Sequence, residues 1–199
     1  NPKMFVLFSD FGLSDPYVGQ IKAVLHALAP GFPVVDLLHE VPDFNPHAGA
    51  HLLDALKPHF PPESIFICVV DPGVGSDRPA IVLEADGRTY LGPDNGLLSV
   101  VMSRSANHRL WRIDWRPEAV SATFHGRDVF APMAARIATE GSPCSGMTCA
   151  TAQVEFDPSD LPRVIYIDHY GNAWTGLRAG NIGPGEMVGV DLERDRERF

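Results

Sequence analysis

Two short, unbroken apolar runs constrain the fold of this 199-residue chain more than any other feature. Residues 4–8 read MFVLF and residues 64–70 read SIFICVV. A continuous apolar run of this length, bounded by turn residues, is typical of a strand that is covered on both faces. We therefore predict a sheet with a layer of helices on each side.

Helical patterns and further strands alternate with these two runs. Residues 15–31 predict a helix in which Asp15 is the N-cap, Pro16 lies in the first turn and Gly31 follows the end. The other predicted elements are strands at 33–38 and 108–114, a hairpin over 80–93 that turns at Asp86 and Gly87, and helices at 48–60, 95–105 and 126–141. This alternation predicts an α/β fold with a mostly parallel sheet and helices on both faces.

The pattern changes near Gly141, which closes the last predicted helix. We predict an α/β N-terminal domain over 1–141. Residues 142–162 are rich in Ser, Thr, Pro and Cys, and we interpret them as a linker. Two further strands around a turn predict that 163–199 is the start of a C-terminal β domain, here incomplete.

Charge and composition exclude several classes of protein. The formal net charge of −9 argues against a nucleic-acid partner, because phosphate binding needs a basic surface. No apolar run approaches the roughly 20 residues that span a bilayer, and the start, NPKMFVLF, lacks the layout of a signal peptide. We expect a cytoplasmic protein with no membrane contact. The three cysteines do not form a disulfide framework.

Acidic residues follow three of the predicted strands: Asp10, Asp71 and Asp168. Ligands of open α/β sheets bind beyond the carboxyl ends of the strands, so each acid is a candidate ligand-binding residue. The alternative for each is a turn or capping carboxylate. For Asp15 the capping role is a sufficient explanation by itself.

The loop VVDPGVGSDR places Asp71 seven residues before Arg78, with Gly73 and Gly75 between them. The glycines let the loop fold Arg78 back towards Asp71, which would fix the direction of the carboxylate. A purely structural ion pair is the alternative. In TFHGRDVFAP, His125 precedes a helix, where it could act as a general base or be a polar residue satisfied within the loop.

His47 and His51 have the i, i+4 spacing of zinc hydrolases but lack the glutamate beside the first histidine. The sequence CSGMTC is not matched by a second pair of ligands. We therefore predict no metal site.

Five motifs together resemble one family: SDFG with DPYVGQIKAVL, VVDPGVGSDR, LGPDNGLL, TFHGRDVFAP and IDHYGNAWT. The chain resembles the S-adenosylmethionine hydroxide adenosyltransferases, which are related to fluorinases and chlorinases. The resemblance implies that water displaces methionine from the 5′ carbon of S-adenosyl-L-methionine, giving adenosine and L-methionine without a further cofactor. It also implies a C-terminal β-barrel and a homotrimer whose active sites lie between one subunit's N-terminal domain and its neighbour's C-terminal domain.

The resemblance further implies roles for eight residues. Water activation is assigned to Asp71, Arg78 and His125, the ribose to Asp10 and Phe44, the methionine amino group to Asp15 and Asp168, and the adenine to Asn172. A sulfonium group leaves as a neutral thioether, so the reaction needs an oriented water and a proton acceptor but no general acid.

Three other functions stay open at this point. A halogenase of the same fold would use chloride or fluoride, but Asp71 stands where halogenases have an uncharged residue. A module that binds adenosine or S-adenosylmethionine without turnover is a second alternative, and a metal-dependent hydrolase is a third.

Overall fold

A computed structural model describes residues 3–73, 77–117 and 124–189 and contains a seven-stranded sheet. Its strands are β1 (Phe5–Ser9), β2 (Val34–Leu38), β3 (Ile65–Val69), β4 (Ala80–Ala85), β5 (Arg88–Pro93), β6 (His108–Ile113) and β7 (Met147–Cys149). They lie in the order β2-β1-β3-β5-β4-β6-β7, and β4 and β7 run against the other five. The predicted, mostly parallel sheet is confirmed, and the carboxyl ends of β1, β2 and β3 meet at one edge.

Helices cover both faces of the sheet, as predicted. They are α1 (Tyr17–Leu28), α2 (Pro46–Leu56), α3 (Ser99–Arg104) and α4 (Ala131–Glu140), and a π-helical turn, Gly126–Phe130, leads into α4. Successive residues of β1 point to opposite faces. Leu7 packs in the cluster of α1 and α4, whereas Phe8 packs in the cluster of α2 and α3.

Two turns predicted from glycine are present. Asp86 and Gly87 both have positive φ, 47° and 81°, as a two-residue hairpin turn between β4 and β5 requires. Gly141, with φ of 92°, follows the last residue of α4.

The predicted N-cap of α1 is wrong. Pro16 occupies the N-cap position, and no side chain makes a capping hydrogen bond there. The fixed φ of proline suits the entry to a helix, so α1 begins one residue later than an Asp15 cap requires. Asp15 is exposed and available for another role.

The chain after α4 packs against the main sheet. Strand β7 lies within the predicted linker and pairs with the edge strand β6. Strands β8 (Leu161–Ile167) and β9 (Ala173–Gly176) form a two-stranded antiparallel sheet, and Ile165 packs in the cluster of α2 and α3. The domain boundaries and the β-barrel stay predictions. Among the described residues, no helix has both the length and the apolar character to cross a membrane.

Candidate active site

A cavity of about 820 Å³ lies at the carboxyl ends of the first three strands. Asp10 follows β1, His39 follows β2, and Asp71 follows β3 and Val70. The cavity is lined by Asp10, Phe11, Gly12, Asp15, Tyr17, His39, Glu40, Val41, Pro42, Asp43, Phe44, Val69, Asp71 and Phe124. The structure therefore brings together four predicted site residues, Asp10, Asp15, Phe44 and Asp71.

The Asp71 carboxylate is held from one side. Its Oδ1 accepts hydrogen bonds from the Gly73 amide, at 2.9 Å, and from Nη1 of Arg78. The side chain of Asp71 is 7% exposed and that of Arg78 is 30% exposed. Within residues 3–73, 77–117 and 124–189, Oδ2 has no hydrogen-bond partner, so it is available to a ligand or a water. Gly75, the second predicted loop glycine, lies outside the described residues.

Asp10 carries a charge that its surroundings do not favour. Its Oδ2 accepts a hydrogen bond from the Phe44 amide at 3.0 Å. Burial nevertheless raises the pKa of Asp10, and the nearby carboxylates of Asp43 and Asp71 raise it further. A carboxylate held in an unfavourable state inside a cavity is typical of a functional site.

Phe44 has an unusual backbone for a large residue. Its φ is 53°, and the residue is 69% exposed at the edge of the cavity. A non-glycine residue in the left-handed region is strained, and such strain clusters at ligand sites. Here the strained backbone directs its amide to Asp10 and leaves the ring available to a ligand.

Three aromatic rings form an apolar wall that sequence reasoning missed. Phe11, Tyr17 and Phe124 contact one another with ring centroids 5.2 to 5.8 Å apart. All three line the cavity. The only signal in the sequence is that each is a neighbour, within two residues, of a predicted site residue.

His125 is adjacent to this wall but is not one of the lining residues. It directly follows Phe124 and precedes the π-helical turn. No hydrogen bond joins His125 to Asp71 or Arg78 among the described residues. The structure thus brings two members of the predicted triad into contact and does not link the third to them.

Asp168 and Asn172 do not line the cavity either. They lie at the turn between β8 and β9, where Asp168 accepts hydrogen bonds from the amides of Tyr170 and Asn172, each at 2.9 Å. The Asn172 side chain donates a further bond of 2.8 Å. These bonds, with that from the Asn172 side chain foremost, lower the pKa of Asp168. Within one chain, the turn role explains both residues.

The cavity is strongly acidic. Five of its lining residues are acids: Asp10, Asp15, Glu40, Asp43 and Asp71. No lysine or arginine is among the described residues that line it, and Arg78 reaches only Asp71. The field of such a cavity favours a cationic ligand and disfavours an anion.

The two histidines with zinc-like spacing lie outside the cavity. The rings of His47 and His51 are 5.5 Å apart, and His47 stacks on Phe156 at 4.5 Å. In the part of the chain that the structure describes, no three His, Cys, Asp or Glu side chains are grouped to hold a metal ion.

An acidic cavity at the carboxyl edge of an open sheet defines an α/β protein that binds a small molecule. Residues 5–146 match the SAM hydroxide adenosyltransferase N-terminal domain, and the chain belongs to that family. An (R)-S-adenosyl-L-methionine hydrolase of Thermus thermophilus is 40% identical over an alignment that covers 91% of this chain and 77% of that protein.

A solved structure shares the fold. An uncharacterised conserved protein from Thermotoga maritima superposes with a TM-score of 0.79 and is 33% identical, over 90% of this chain and 71% of that one. A fluorinase of Actinopolyspora mzabensis is more distant, at 25% identity over an alignment that covers 94% of this chain and 74% of the fluorinase.

Proposed function

We propose that this chain hydrolyses S-adenosyl-L-methionine to adenosine and L-methionine. The observation that carries the proposal is the Asp71 carboxylate, fixed by Arg78 through one oxygen, with the other oxygen unpaired by any described residue, in an acidic cavity. The substrate carries a positive sulfonium and a positive amino group, which five lining acids attract. The 40% identity to a hydrolase supports the same reaction.

The reaction forms one bond and breaks another at a single carbon. The water oxygen attacks the ribose 5′ carbon, and the electron pair of the carbon–sulfur bond moves to sulfur. The sulfonium becomes the neutral thioether of methionine, the 5′ carbon becomes the hydroxymethyl group of adenosine, and one proton is released. The protein therefore has to orient water in line with the leaving sulfur and accept a proton.

The residues divide between these tasks. Oδ2 of Asp71 orients the water and accepts its proton, and Arg78 keeps that carboxylate in place. His125 is the third member of this set through the resemblance of its motif. Asp10 accepts hydrogen bonds from the two ribose hydroxyls, because both of its oxygens can accept further hydrogen bonds besides the one from the Phe44 amide. The Phe44 ring lies against the ribose, and Asp15 faces the methionine amino group.

Assembly, location and metal independence are further parts of the proposal. Exposed apolar side chains lie at the cavity, with Leu13 nearby, and on the hairpin of β8 and β9, where Tyr170 is 87% exposed. Contact between these two surfaces on neighbouring subunits of a homotrimer would bring Asp168 and Asn172 to a neighbour's cavity, beside the methionine and adenine. The enzyme acts in the cytoplasm without a metal or a further cofactor.

Isotope-labelled water tests the reaction directly. The protein is incubated with S-adenosyl-L-methionine in H₂¹⁸O, with and without chloride, and the products are measured by mass spectrometry. We expect adenosine with one ¹⁸O at the 5′ oxygen, unlabelled methionine, and no change after chelator treatment. Binding without turnover, 5′-chloroadenosine, or activity that a chelator abolishes and zinc restores would each contradict the proposal.

A further inference from the structure

A hydrogen-bonded chain of side chains, buried at its inner end, reaches the cavity at His39. The Ser9 hydroxyl is 2.7 Å from Nδ1 of His39, and Nε2 of His39 is 3.0 Å from Oδ1 of Asp36. Nζ of Lys22 donates to the other oxygen of Asp36 at 2.5 Å. Ser9 and His39 are 3% and 4% exposed. The chain thus runs from Lys22 and Asp36, which are partly exposed, to the floor of the cavity.

The direction of these bonds follows from the groups involved. Asp36 is a carboxylate, and although burial acts in the opposite direction, bonds from Lys22 and His39 lower its pKa. A carboxylate only accepts, so Nε2 of His39 carries a proton, and in the tautomer with its single proton at Nε2 the ring accepts at Nδ1. In that tautomer the Ser9 hydroxyl donates to Nδ1, and the Ser9 oxygen accepts from the Phe11 amide at 3.3 Å.

The same two residues hold the loop after β1 by their main chains. The Gly12 amide donates to the His39 carbonyl at 2.7 Å, and the Val41 amide donates to the Ser9 carbonyl at 3.2 Å. Asp10 is the residue directly after Ser9. Its position is therefore set on both sides, by Ser9 before it and by the amides of Phe11 and Gly12 after it.

We propose that His39 is a positioning residue for Asp10: it acts through Ser9 and fixes the loop that holds the ribose hydroxyls. The inference rests on the proposed function only in assigning the ribose to Asp10. His39 lines the cavity but is only 4% exposed, and both of its ring nitrogens are bonded within the protein. The two ring nitrogens have different partners: Nε2 is hydrogen-bonded to Asp36, and Nδ1 is hydrogen-bonded to Ser9, which begins the loop.

Two substitutions separate the ring nitrogens. His39→Asn places an amide oxygen near the Nδ1 position and keeps an acceptor for Ser9, whereas His39→Gln places its amide near Nε2 and loses that acceptor. We expect His39→Gln to weaken adenosine binding by about tenfold, as the loss of one hydrogen bond does, and His39→Asn to retain more affinity. His51→Gln is the matched control, because His51 is 3% exposed and lies outside the cavity.

A double-mutant cycle distinguishes positioning from direct contact. If His39 acts through Asp10, His39→Gln has little further effect on adenosine affinity once Asp10→Asn is present. An undiminished effect on that background would mean that His39 contacts the ligand, and would overturn the inference. If the His39 variants do not fold, Ser9→Ala replaces them, with Ser99→Ala, also 3% exposed, as its control.

Amide hydrogen exchange gives a readout that needs no ligand. We expect the Phe11 and Gly12 amides to exchange at least several-fold faster in His39→Gln than in the wild type, with β3 unchanged, because the loop loses its anchor. Equal protection in both proteins would overturn the inference. A wild type that neither hydrolyses S-adenosyl-L-methionine nor binds adenosine would refute the proposed function, while the exchange rates would still decide the role of His39.

Discussion

Acidic side chains cluster in two regions of this molecule, and their partners differ. Around the hairpin of β8 and β9, Asp54 contacts Lys57 and is 2.7 Å from Nη1 of Arg104. Asp160 is 2.6 Å from Nε of Arg178, and bonds from Asn181 and Arg178 lower its pKa to about 2. Arg104 of α3 connects the two acids, because it also lies 3.9 Å from Asp160 and donates to the Pro158 carbonyl, and so it attaches the segment before the hairpin to α3.

The cavity acids show the opposite arrangement. No lysine or arginine in the described part of the chain pairs with Asp10, Asp15, Glu40 or Asp43, and burial raises the pKa of Asp10. Paired acids stabilise the fold, whereas uncompensated acids reduce its stability and are retained for a ligand. Asp71 stands between the two groups, because it is paired with Arg78 through one oxygen only.

Asp71→Asn should have the largest effect on turnover. It tests whether Asp71 belongs with the catalytic acids of the cavity or with the paired acids that stabilise the fold. The amide cannot accept the proton of water, so we expect turnover to fall by about 10²–10⁴-fold, while affinity for S-adenosyl-L-methionine changes little. Single-turnover kinetics and calorimetry measure the two quantities. Near-normal turnover would assign Asp71 to the structural acids.

Asp54→Ala tests whether the paired acids stabilise the fold. It leaves the half-buried Arg104 without its closest carboxylate, and we expect the free energy of unfolding to fall by about 2–3 kcal/mol. Urea denaturation measures this loss, and the KM for S-adenosyl-L-methionine should stay unchanged. A raised KM with unaltered stability would remove the distinction between the two regions.

Much of the fold follows from local sequence patterns. Continuous apolar runs predicted β1 and β3, and Asp86 with Gly87 predicted the hairpin, because buried strands and tight turns restrict the residues that can form them. The N-cap at Asp15 was wrong, since the fixed φ of Pro16 suits the entry to the helix and α1 begins one residue later. Strand β7 could not be predicted, because its three residues are ordered by pairing with β6 and not by a pattern of their own.

The site was partly predictable for a similar reason. Asp10 and Asp71 follow strands, so the rule that ligands bind at the carboxyl ends of strands predicts them. The same rule applied to β2 would have found His39. The contact of Phe11, Tyr17 and Phe124 depends on the packing of α1 against the π-helical turn, and no local pattern reports it.

Asp10→Ala tests whether a cavity acid binds the ligand or only supports the loop. Losing the charge-assisted hydrogen bonds to the ribose hydroxyls should weaken adenosine binding at least about tenfold to a hundredfold, since the loss of even one such bond costs roughly 1.5–3 kcal/mol. Binding of 2′,3′-dideoxyadenosine should hardly change, because that analogue has no hydroxyls for Asp10 to hold. Equal weakening of both ligands in calorimetry would show that Asp10 supports the loop.

Asp10→Asn should produce the smallest effect, a change in melting temperature. Whether that temperature rises or falls directly tests whether the cavity acids destabilise the fold. The amide oxygen can still accept from Phe44, but the buried charge is gone. Because the folded-state pKa of Asp10 is raised, the wild type loses stability as pH rises from the unfolded-state pKa, about 3.9, through the folded-state pKa. We therefore expect the variant to melt at a higher temperature than the wild type at pH 7, with the difference disappearing below about pH 4.

Asp160→Asn is the matched control, with the opposite sign expected. The pKa of Asp160 is lowered to about 2, so its charge stabilises the fold above the unfolded-state pKa, and its loss should reduce the melting temperature at pH 7. Each 1 kcal/mol moves the midpoint by about 2–4 °C in a domain of this size, which thermal scans at several pH values resolve. If both variants shifted the midpoint in the same direction, the cavity acid would not differ from the structural acid, and the argument that its charge is kept for a cationic substrate would fail.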